Sequence, residues 1–134
     1  MKIKTLVAVL LLSGGVTSTF AQSDCNANSS ISHEAVRAKN YKDAYAPCMA
    51  VLKDCPTLRY YTYTDAQKIL VGLMSQIKDR NSAEYKKLFD ELMTVHDQKM
   101  KYIPEFATKM KGVPSVASAL GTKAVDYLQY APAP

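Results

Sequence analysis

The sequence of 134 residues contains no tryptophan, only five glycines and only two histidines. With so few glycines, a dinucleotide-binding G-x-G-x-x-G run or a phosphate-binding G-x-x-x-x-G-K-S/T run would be conspicuous, and neither occurs. His33-Glu34 has the start of a zinc-binding H-E-x-x-H motif, but Arg37 stands where the second histidine belongs. The sequence therefore predicts no cofactor and no metal site.

Charge is modest, and the apolar content is that of one folded domain. Hydrophobic residues make up 48% and charged residues 22% of the chain, and the formal net charge is +5. At this length the profile fits a single globular unit and argues against disorder. Without Lys2 and Lys4 the net charge falls to +3, which is too small for a nucleic-acid-binding surface.

The first 21 residues have the pattern of a cleaved signal peptide. A basic start with Lys2 and Lys4 precedes a short apolar run, and Thr19-Phe20-Ala21 suits signal peptidase. We expect a mature chain that begins at Gln22, has no transmembrane segment and is exported to the periplasm or the cell exterior. Lipid attachment at Cys25 is the alternative, and Asp24 beside it argues against a lipoprotein signal.

Apolar residues at helical spacing predict four helices and a weaker fifth, while no segment alternates with the period of a strand. The expected helices are a first with Ile31, Ala35 and Ala38 after the cap-rich residues 28–30; a second from Tyr41 to Cys55-Pro56; a third capped by Thr64 and Gln67; a fourth capped by Asn81 and Glu84 and closed by Pro104; and a fifth between Pro114 and Pro132 with Val116, Leu120, Ala124 and Leu128.

Short links between these helices predict antiparallel hairpins, because they leave no room for another geometry. One hairpin alone cannot bury the apolar faces of its helices, whereas two stacked hairpins can. We therefore expect an all-α fold with two hairpins in residues 22–112. Residues 113–134 form the fifth helix and a proline-rich end, and this helix either caps the stack or begins a further repeat.

Several residues stand at the spacing of a known repeat. Asn40-Tyr41, Ala44, Val51-Leu52 and Pro56 resemble the second half of a tetratricopeptide repeat (TPR), as found in exported proteins of Gram-negative bacteria. A looser second copy has Tyr85, Leu88, Phe89, Leu92 and Val95, and the likeness covers about Asn28 to Ile103. The resemblance implies a TPR-like solenoid that binds or scaffolds other proteins in the cell envelope.

The chain also departs from the TPR pattern. The two aromatic positions, Tyr41 and Tyr85, are 44 residues apart, whereas the usual period is about 34 residues. Lys39 stands where glycine is common, and Pro47 falls inside the second helix, where it removes a hydrogen bond. These differences bear on the superhelix more than on the hairpins.

Three cysteines in an exported chain suggest one disulfide. Cys48 and Cys55 are about 10.5 Å apart along one helix, which is beyond disulfide reach. An antiparallel hairpin places the start of its first helix beside the end of its second, so we expect a bond between Cys25 and Cys55. Cys48 is interpreted as a small buried hydrophobic residue, with a redox or nucleophilic thiol as the alternative.

The candidate binding surface is the side of the first and third helices that lines the concave face of stacked hairpins. Arg59-Tyr60-Tyr61-Thr62-Tyr63 concentrates tyrosine and arginine, which are favoured in interfaces, at the start of the third helix. Tyr60 and Tyr63 are expected to fill the seam between repeats, and for Tyr61 packing against the linker is the alternative to binding a partner. The site residues predicted on this face are Tyr61, Thr64, Lys68 and Ser75, together with His33 and Arg37.

The resulting functional hypothesis is a non-catalytic protein that binds a protein or peptide partner. One alternative is a small envelope hydrolase that uses carboxylates of the fourth helix, among Glu84, Asp90, Glu91 and Asp97; another is a structural N-terminal cap of a larger secreted protein. His96 is expected to be packed and hydrogen-bonded. The lysine-rich residues 99–111 are interpreted as a solvated linker.

Overall fold

The computed structural model describes residues 24–134, and across that range the chain forms five α-helices and no strand. The all-α prediction is therefore confirmed, while the predicted signal peptide lies outside the described residues. The helices are α1 (24–37), α2 (Tyr41–Asp54), α3 (Tyr61–Ser75), α4 (Ala83–Lys109) and α5 (Val116–Tyr130).

Helices α1 and α2 are joined by a tight turn at Lys39. The amide of Lys39 donates to the carbonyl of Val36 and the amide of Asn40 donates to the carbonyl of Ala35, which closes α1 with a Schellman motif. Lys39 has a φ of 57° in this motif, at the position where glycine is common. The lysine therefore adopts the left-handed conformation that the turn requires, and the hairpin forms without the glycine.

The first helix differs from the prediction in both its start and its buried face. Helix α1 is already formed at residue 24, so residues 28–30 lie inside it instead of capping it. Ile31, which was expected to be buried, is 56% exposed. The residues of α1 that are buried are mostly small or polar: Cys25, Ser29, Ser32 and Val36.

The predicted bond between Cys25 and Cys55 is confirmed. It joins Cys25, near the beginning of the described part of α1, to the residue that follows α2, with 6.4 Å between the two α-carbons. Cys48 is the free cysteine of the described chain and is buried on α2, as expected. The disulfide thus ties the two ends of the first hairpin together.

Helices α2, α3 and α4 enclose the core. Tyr63 is completely buried and its hydroxyl donates to the carbonyl of Pro56, at 2.7 Å. Gly72 permits the close approach of α2 and α3, because a β-carbon there would overlap the ring of Tyr41. The other buried apolar side chains of this cluster include Ala44, Leu52, Ile69, Leu70, Met74, Leu88, Phe89 and Leu92.

Helix α4 continues past Pro104, where the sequence predicted its end. The side chains of Ile103 and Phe106 are both buried, and the Phe106 ring packs edge-on against Tyr60 and Tyr63, with centroid distances of 5.5 and 6.0 Å. Burial of these side chains offsets the hydrogen bond that proline removes. The prediction of a linker was wrong for residues 99–109, which lie within α4, and Lys99 is only 4% exposed. Lys101, Lys109 and Lys111 are exposed, as predicted.

The other predicted helix caps differ as well. Helix α3 begins at Tyr61 without a side-chain cap, and Thr64 bonds to the carbonyl of Tyr61 instead of capping the helix. Helix α4 is capped by Ser82, whose hydroxyl accepts from the amide of Tyr85 at 3.2 Å. Along residues 24–134, no helix is both long and apolar enough to cross a membrane.

Removing the disulfide should lower the free energy of unfolding by about 3 to 4 kcal/mol, because the bond closes a loop of about 30 residues in the unfolded chain. The measurement is urea unfolding of the oxidised protein, with and without dithiothreitol, and of the Cys25→Ala/Cys55→Ala variant. Reduced wild type should match the variant, and the reductant should leave the variant unchanged. An oxidised wild type whose midpoint did not respond to the reductant would contradict the prediction.

Candidate functional site

Arg59 is the centre of a polar cluster between α1 and α3. Its Nη1 atom donates to Ser29 Oγ and to Tyr61 Oη, both at 3.0 Å. Its Nη2 atom donates to Asn26 Oδ1 at 3.5 Å, and its guanidinium carbon lies 5.8 Å from the centroid of the Tyr61 ring. One arginine from the link before α3 thereby fixes the orientation of Tyr61 against α1.

His33 and Asp65 form the second part of this cluster. His33 Nδ1 lies 2.8 Å from Asp65 Oδ2, and the His33 ring is 4.4 Å from the Tyr61 ring, measured between centroids. The Asp65 carboxylate is almost completely buried, whereas the His33 side chain is 36% exposed. A buried carboxylate needs a partner to offset its desolvation, and His33 supplies one while keeping part of its ring at the surface.

Cys48 lies behind this pair and is an unreactive thiol. Burial, and to a smaller extent the charge of Asp65, raises the pKa of Cys48 to about 12, so the thiolate scarcely forms at neutral pH. Its sulfur donates to the carbonyl of Thr62, at 3.6 Å. These observations favour the interpretation of Cys48 as a packing residue.

The structure brings only some of the predicted site residues together. His33 and Tyr61 are in contact, whereas Arg37 is exposed and pairs with Glu34 on its own helix at 3.3 Å. Lys68 is exposed along α3. Thr64 and Ser75 are occupied locally, since their hydroxyls donate to the carbonyls of residues 61 and 72.

Sequence reasoning missed three members of the cluster, Asn26, Ser29 and Asp65, and it noted Arg59 without placing it among the site residues. Asn26, Ser29 and His33 recur at spacings of three and four, so they share one face of a helix that begins early enough to include them. Because the first helix was predicted to begin after residue 30, the shared face of these three residues was not recognised. Asp65 follows Tyr61 by one turn, which placed it on the same side of the third helix.

An apolar cleft adjoins the cluster. It has a volume of about 420 Å³ and is lined by Arg59 and Tyr61 on the side of the cluster. The rest of its wall comes from the link before α3 and from the end of α4: Leu58, Tyr60, Phe106, Lys109 and Met110. Tyr61 therefore has one edge in a polar network and the other beside an apolar cleft.

The α4 carboxylates proposed for a hydrolase have varied surroundings. Tyr45 donates its hydroxyl to both oxygens of Glu91, at 2.7 and 2.6 Å, and burial together with Glu91 raises the pKa of Tyr45 to about 12. Asp97 is paired with Lys123 at 2.6 Å. Both of these carboxylates link α4 to another helix. Glu84 lines a cleft of about 510 Å³, where Lys42 and Lys87 are its charged neighbours.

Among residues 24–134, no group of three or more histidine, cysteine, aspartate or glutamate side chains could hold a metal ion. Comparison with known proteins finds no matching family model, no matching curated protein and no matching solved structure. The candidate site therefore has to be judged on its own geometry.

A second polar group lies between α4 and α5. His96 is completely buried, and its Nε2 atom lies 2.7 Å from Asp126 Oδ2. Its Nδ1 atom is buried without a hydrogen-bond partner. Burial therefore lowers the pKa of His96 despite Asp126, and the nearby Lys99 and Lys123 lower it further. The imidazole is neutral, because protonation would bury an unpaired N–H at Nδ1. Its one N–H is at Nε2, since the Asp126 carboxylate there accepts a hydrogen bond.

Acid should weaken the fold through His96. Since its pKa is lower in the folded than in the unfolded state, its contribution is complete above about pH 6.5 and is lost as the pH falls below that value. We expect the free energy of unfolding to fall between pH 7 and 5 by up to about 1.4 kcal/mol per pH unit. Urea unfolding at each pH measures this fall.

The matched variants are His96→Gln and His33→Gln. Glutamine at position 96 retains a donor for Asp126 but does not titrate, so this variant should lose much of the acid sensitivity. The His33→Gln variant should retain the fall in the free energy of unfolding that comes from His96. Equal acid sensitivity of His96→Gln and wild type would contradict the assignment.

Proposed function

We propose that this protein is an exported, non-catalytic helical-repeat protein that binds another protein or a peptide in the cell envelope. The observation that carries the proposal is the ordered arrangement of Arg59, Tyr61 and His33 at the surface of α1 and α3, beside an apolar cleft. Aromatic and arginine side chains contribute most in protein interfaces, and here hydrogen bonds hold them in place before any partner arrives.

The packing of the helices supports a TPR-like stack. The disulfide joins the start of α1 to the end of α2, as in an antiparallel hairpin. Next-but-one helices also touch: His33 of α1 contacts Asp65 of α3, and Tyr45 of α2 contacts Glu91 of α4. Contacts of this kind are what stacking one hairpin on another produces.

The charges around the proposed surface favour a partner with acidic residues. Lys68 is exposed on α3. Arg37 on α1 and Lys109 beside the cleft are paired with exposed glutamates of their own helices, Glu34 at 3.3 Å and Glu105 at 3.0 Å, and exposed pairs of this kind are weak enough to exchange for a partner's carboxylate. Asp65 faces the same region, but it is buried against His33. We therefore expect the partner segment to combine carboxylates with an apolar side chain that fills the cleft.

The disulfide supports an extracytoplasmic location, because such bonds persist in oxidising compartments. The predicted signal peptide adds a route to that compartment. Together they make the periplasm or the cell exterior the proposed site of action.

The test uses a displayed library of random 16-residue peptides, selected against residues 22–134, with affinities measured by fluorescence anisotropy. Arg37→Ala, Lys68→Ala and Tyr61→Ala should each weaken binding of the selected peptides by about fivefold or more, which corresponds to about 1 kcal/mol. Lys86→Ala is the matched control, since Lys86 is exposed on α4, and it should leave affinity unchanged.

Urea unfolding of the same variants separates binding from stability. Tyr61→Phe retains the ring and loses only the hydroxyl that Arg59 and Ser29 contact. If the selected peptides bind Arg37→Ala, Lys68→Ala and Tyr61→Ala as tightly as wild type, the side of α1 and α3 that carries these residues, the α1/α3 surface, is not the binding site. Loss of stability in Tyr61→Ala without loss of affinity would make Tyr61 a seam residue.

A further inference from the structure

Helix α5 buries little apolar surface against the rest of the fold. Ala119 is the residue of α5 that is buried, and the ring of Tyr127 packs on that of Phe89, with 5.7 Å between the centroids. The apolar stripe predicted from the sequence is exposed: Val116, Leu120, Ala124 and Leu128. Since hydrophobic stabilisation scales with the apolar area that is buried, polar contacts carry much of the attachment of α5.

Two side-chain pairs connect α5 to α4. Asp126 Oδ2 lies 2.7 Å from Nε2 of His96, and Lys123 Nζ lies 2.6 Å from Oδ1 of Asp97. The second pair is at the surface, with the Asp97 side chain 58% exposed, and pairs of this kind contribute little to stability. The pair with His96 is buried on its histidine side and is therefore the stronger of the two.

The end of α5 is held by two hydrogen bonds that do not respond to acid. The hydroxyl of Tyr85 donates to the carbonyl of Tyr130 at 2.7 Å, and Nη1 of Arg80 donates to the carbonyl of Gln129 at 2.9 Å. Arginine stays charged and backbone carbonyls do not titrate. Among these contacts of the described chain, the one made by His96 changes charge between about pH 5 and 8.

The docked helix requires a neutral His96. Nδ1 of this completely buried ring has no hydrogen-bond partner, so protonation would bury an N–H without an acceptor. The ammonium groups of Lys99 on α4 and Lys123 on α5 also oppose a positive charge on the ring, while Asp126 favours it. Once α5 is lifted, the ring borders on water, which can accept from both N–H groups of the imidazolium.

We propose that α5 is an acid-released strap: it packs on α4 while His96 is neutral and lifts away when His96 is protonated, whereas α1 to α4 stay folded. Of the buried side chains that form the described core cluster, none belongs to α5. The core therefore survives the loss of this helix. Lifting uncovers His96 and the ring of Phe89 on α4.

The link between α4 and α5 permits this movement. Residues 110–115 are largely exposed, and Gly112 has a φ of 83°, in the left-handed region that favours glycine. A β-carbon on Gly112 would meet no atom of the structure within 4 Å, so the backbone has room to turn there. A hinge at this point moves α5 without distorting α4.

The direction of the pH effect follows from proton linkage. Burial lowers the pKa of His96 in the docked form more than Asp126 raises it, whereas a solvated histidine has a pKa of about 6.5. Below about pH 6.5 the lifted form thus binds more protons than the docked form, so its population rises as the pH falls. The rise is at most about tenfold per pH unit and ends where the docked form is protonated as well.

Amide hydrogen exchange of residues 22–134, followed by NMR at about pH 7.5 and 5.5 with low concentrations of urea, tests the proposal. After correction for the intrinsic exchange rate, the protection of the α5 amides should fall about threefold or more at the lower pH. Their exchange should depend little on urea, because lifting one helix exposes little surface. The α3 amides should stay more protected and should show the full urea dependence of global unfolding.

Two histidine variants assign the effect. His96→Gln retains a donor for Asp126 but does not titrate, so the protection of its α5 amides should be nearly the same at both pH values. His33→Gln is the matched control, because His33 lies on α1 and contacts Asp65 of α3, and it should show the wild-type fall. The pH and urea dependence of wild type tests the strap even where His96→Gln does not fold.

Three results would overturn the proposal. They are α5 protection in wild type that does not change with pH, α5 amides that exchange with the same urea dependence as those of α3, and a His96→Gln variant that shows the wild-type fall. Helix α5 shares no residue with the α1/α3 surface, so these results are independent of the proposed peptide binding.

Discussion

The bond between Cys25 and Cys55 is the constraint on which the α1/α3 surface depends. Helix α1 buries few apolar atoms, since its inward face consists of Cys25, Ser29, Ser32 and Val36. Burial of such small side chains contributes little hydrophobic free energy. The disulfide holds Cys25 of α1 at the end of α2, and the hydrogen bonds to α3 then set the orientation of α1.

This weak apolar packing of α1 has a functional consequence. Where apolar side chains would normally fill a seam, the chain has two polar pairs, Arg59 with Tyr61 at 3.0 Å and His33 with Asp65 at 2.8 Å. The two pairs meet where the rings of His33 and Tyr61 lie 4.4 Å apart, measured between centroids. Polar groups that are satisfied by one another stay in fixed positions at the edge of solvent. The same residues that attach α1 therefore form the surface proposed to bind a partner.

The sequence predicts the helical class, the hairpins and the disulfide, because helix periodicity and short links carry that information locally. It misplaces α1 because Ser29 and Ser32 are buried although they are polar. The sequence-based prediction ends α4 at Pro104, whereas the helix continues to Lys109. The continuation depends on the burial of Phe106 against Tyr60 and Tyr63, which are distant in sequence, so the local pattern does not reveal it. The sequence also predicts the apolar stripe of α5. It does not reveal that Asp126 and Lys123 pair with residues of α4 and thereby leave much of that stripe exposed.

Amide hydrogen exchange of residues 24–37, with the disulfide intact and after reduction, tests most directly that the bond holds α1 in place. The account predicts that reduction removes the protection of α1, while the core amides of α3 and α4 lose no more than the about 3 to 4 kcal/mol by which the global free energy of unfolding falls. Protection of α1 that survives reduction would contradict it, and so would an equal loss of protection in all the helices.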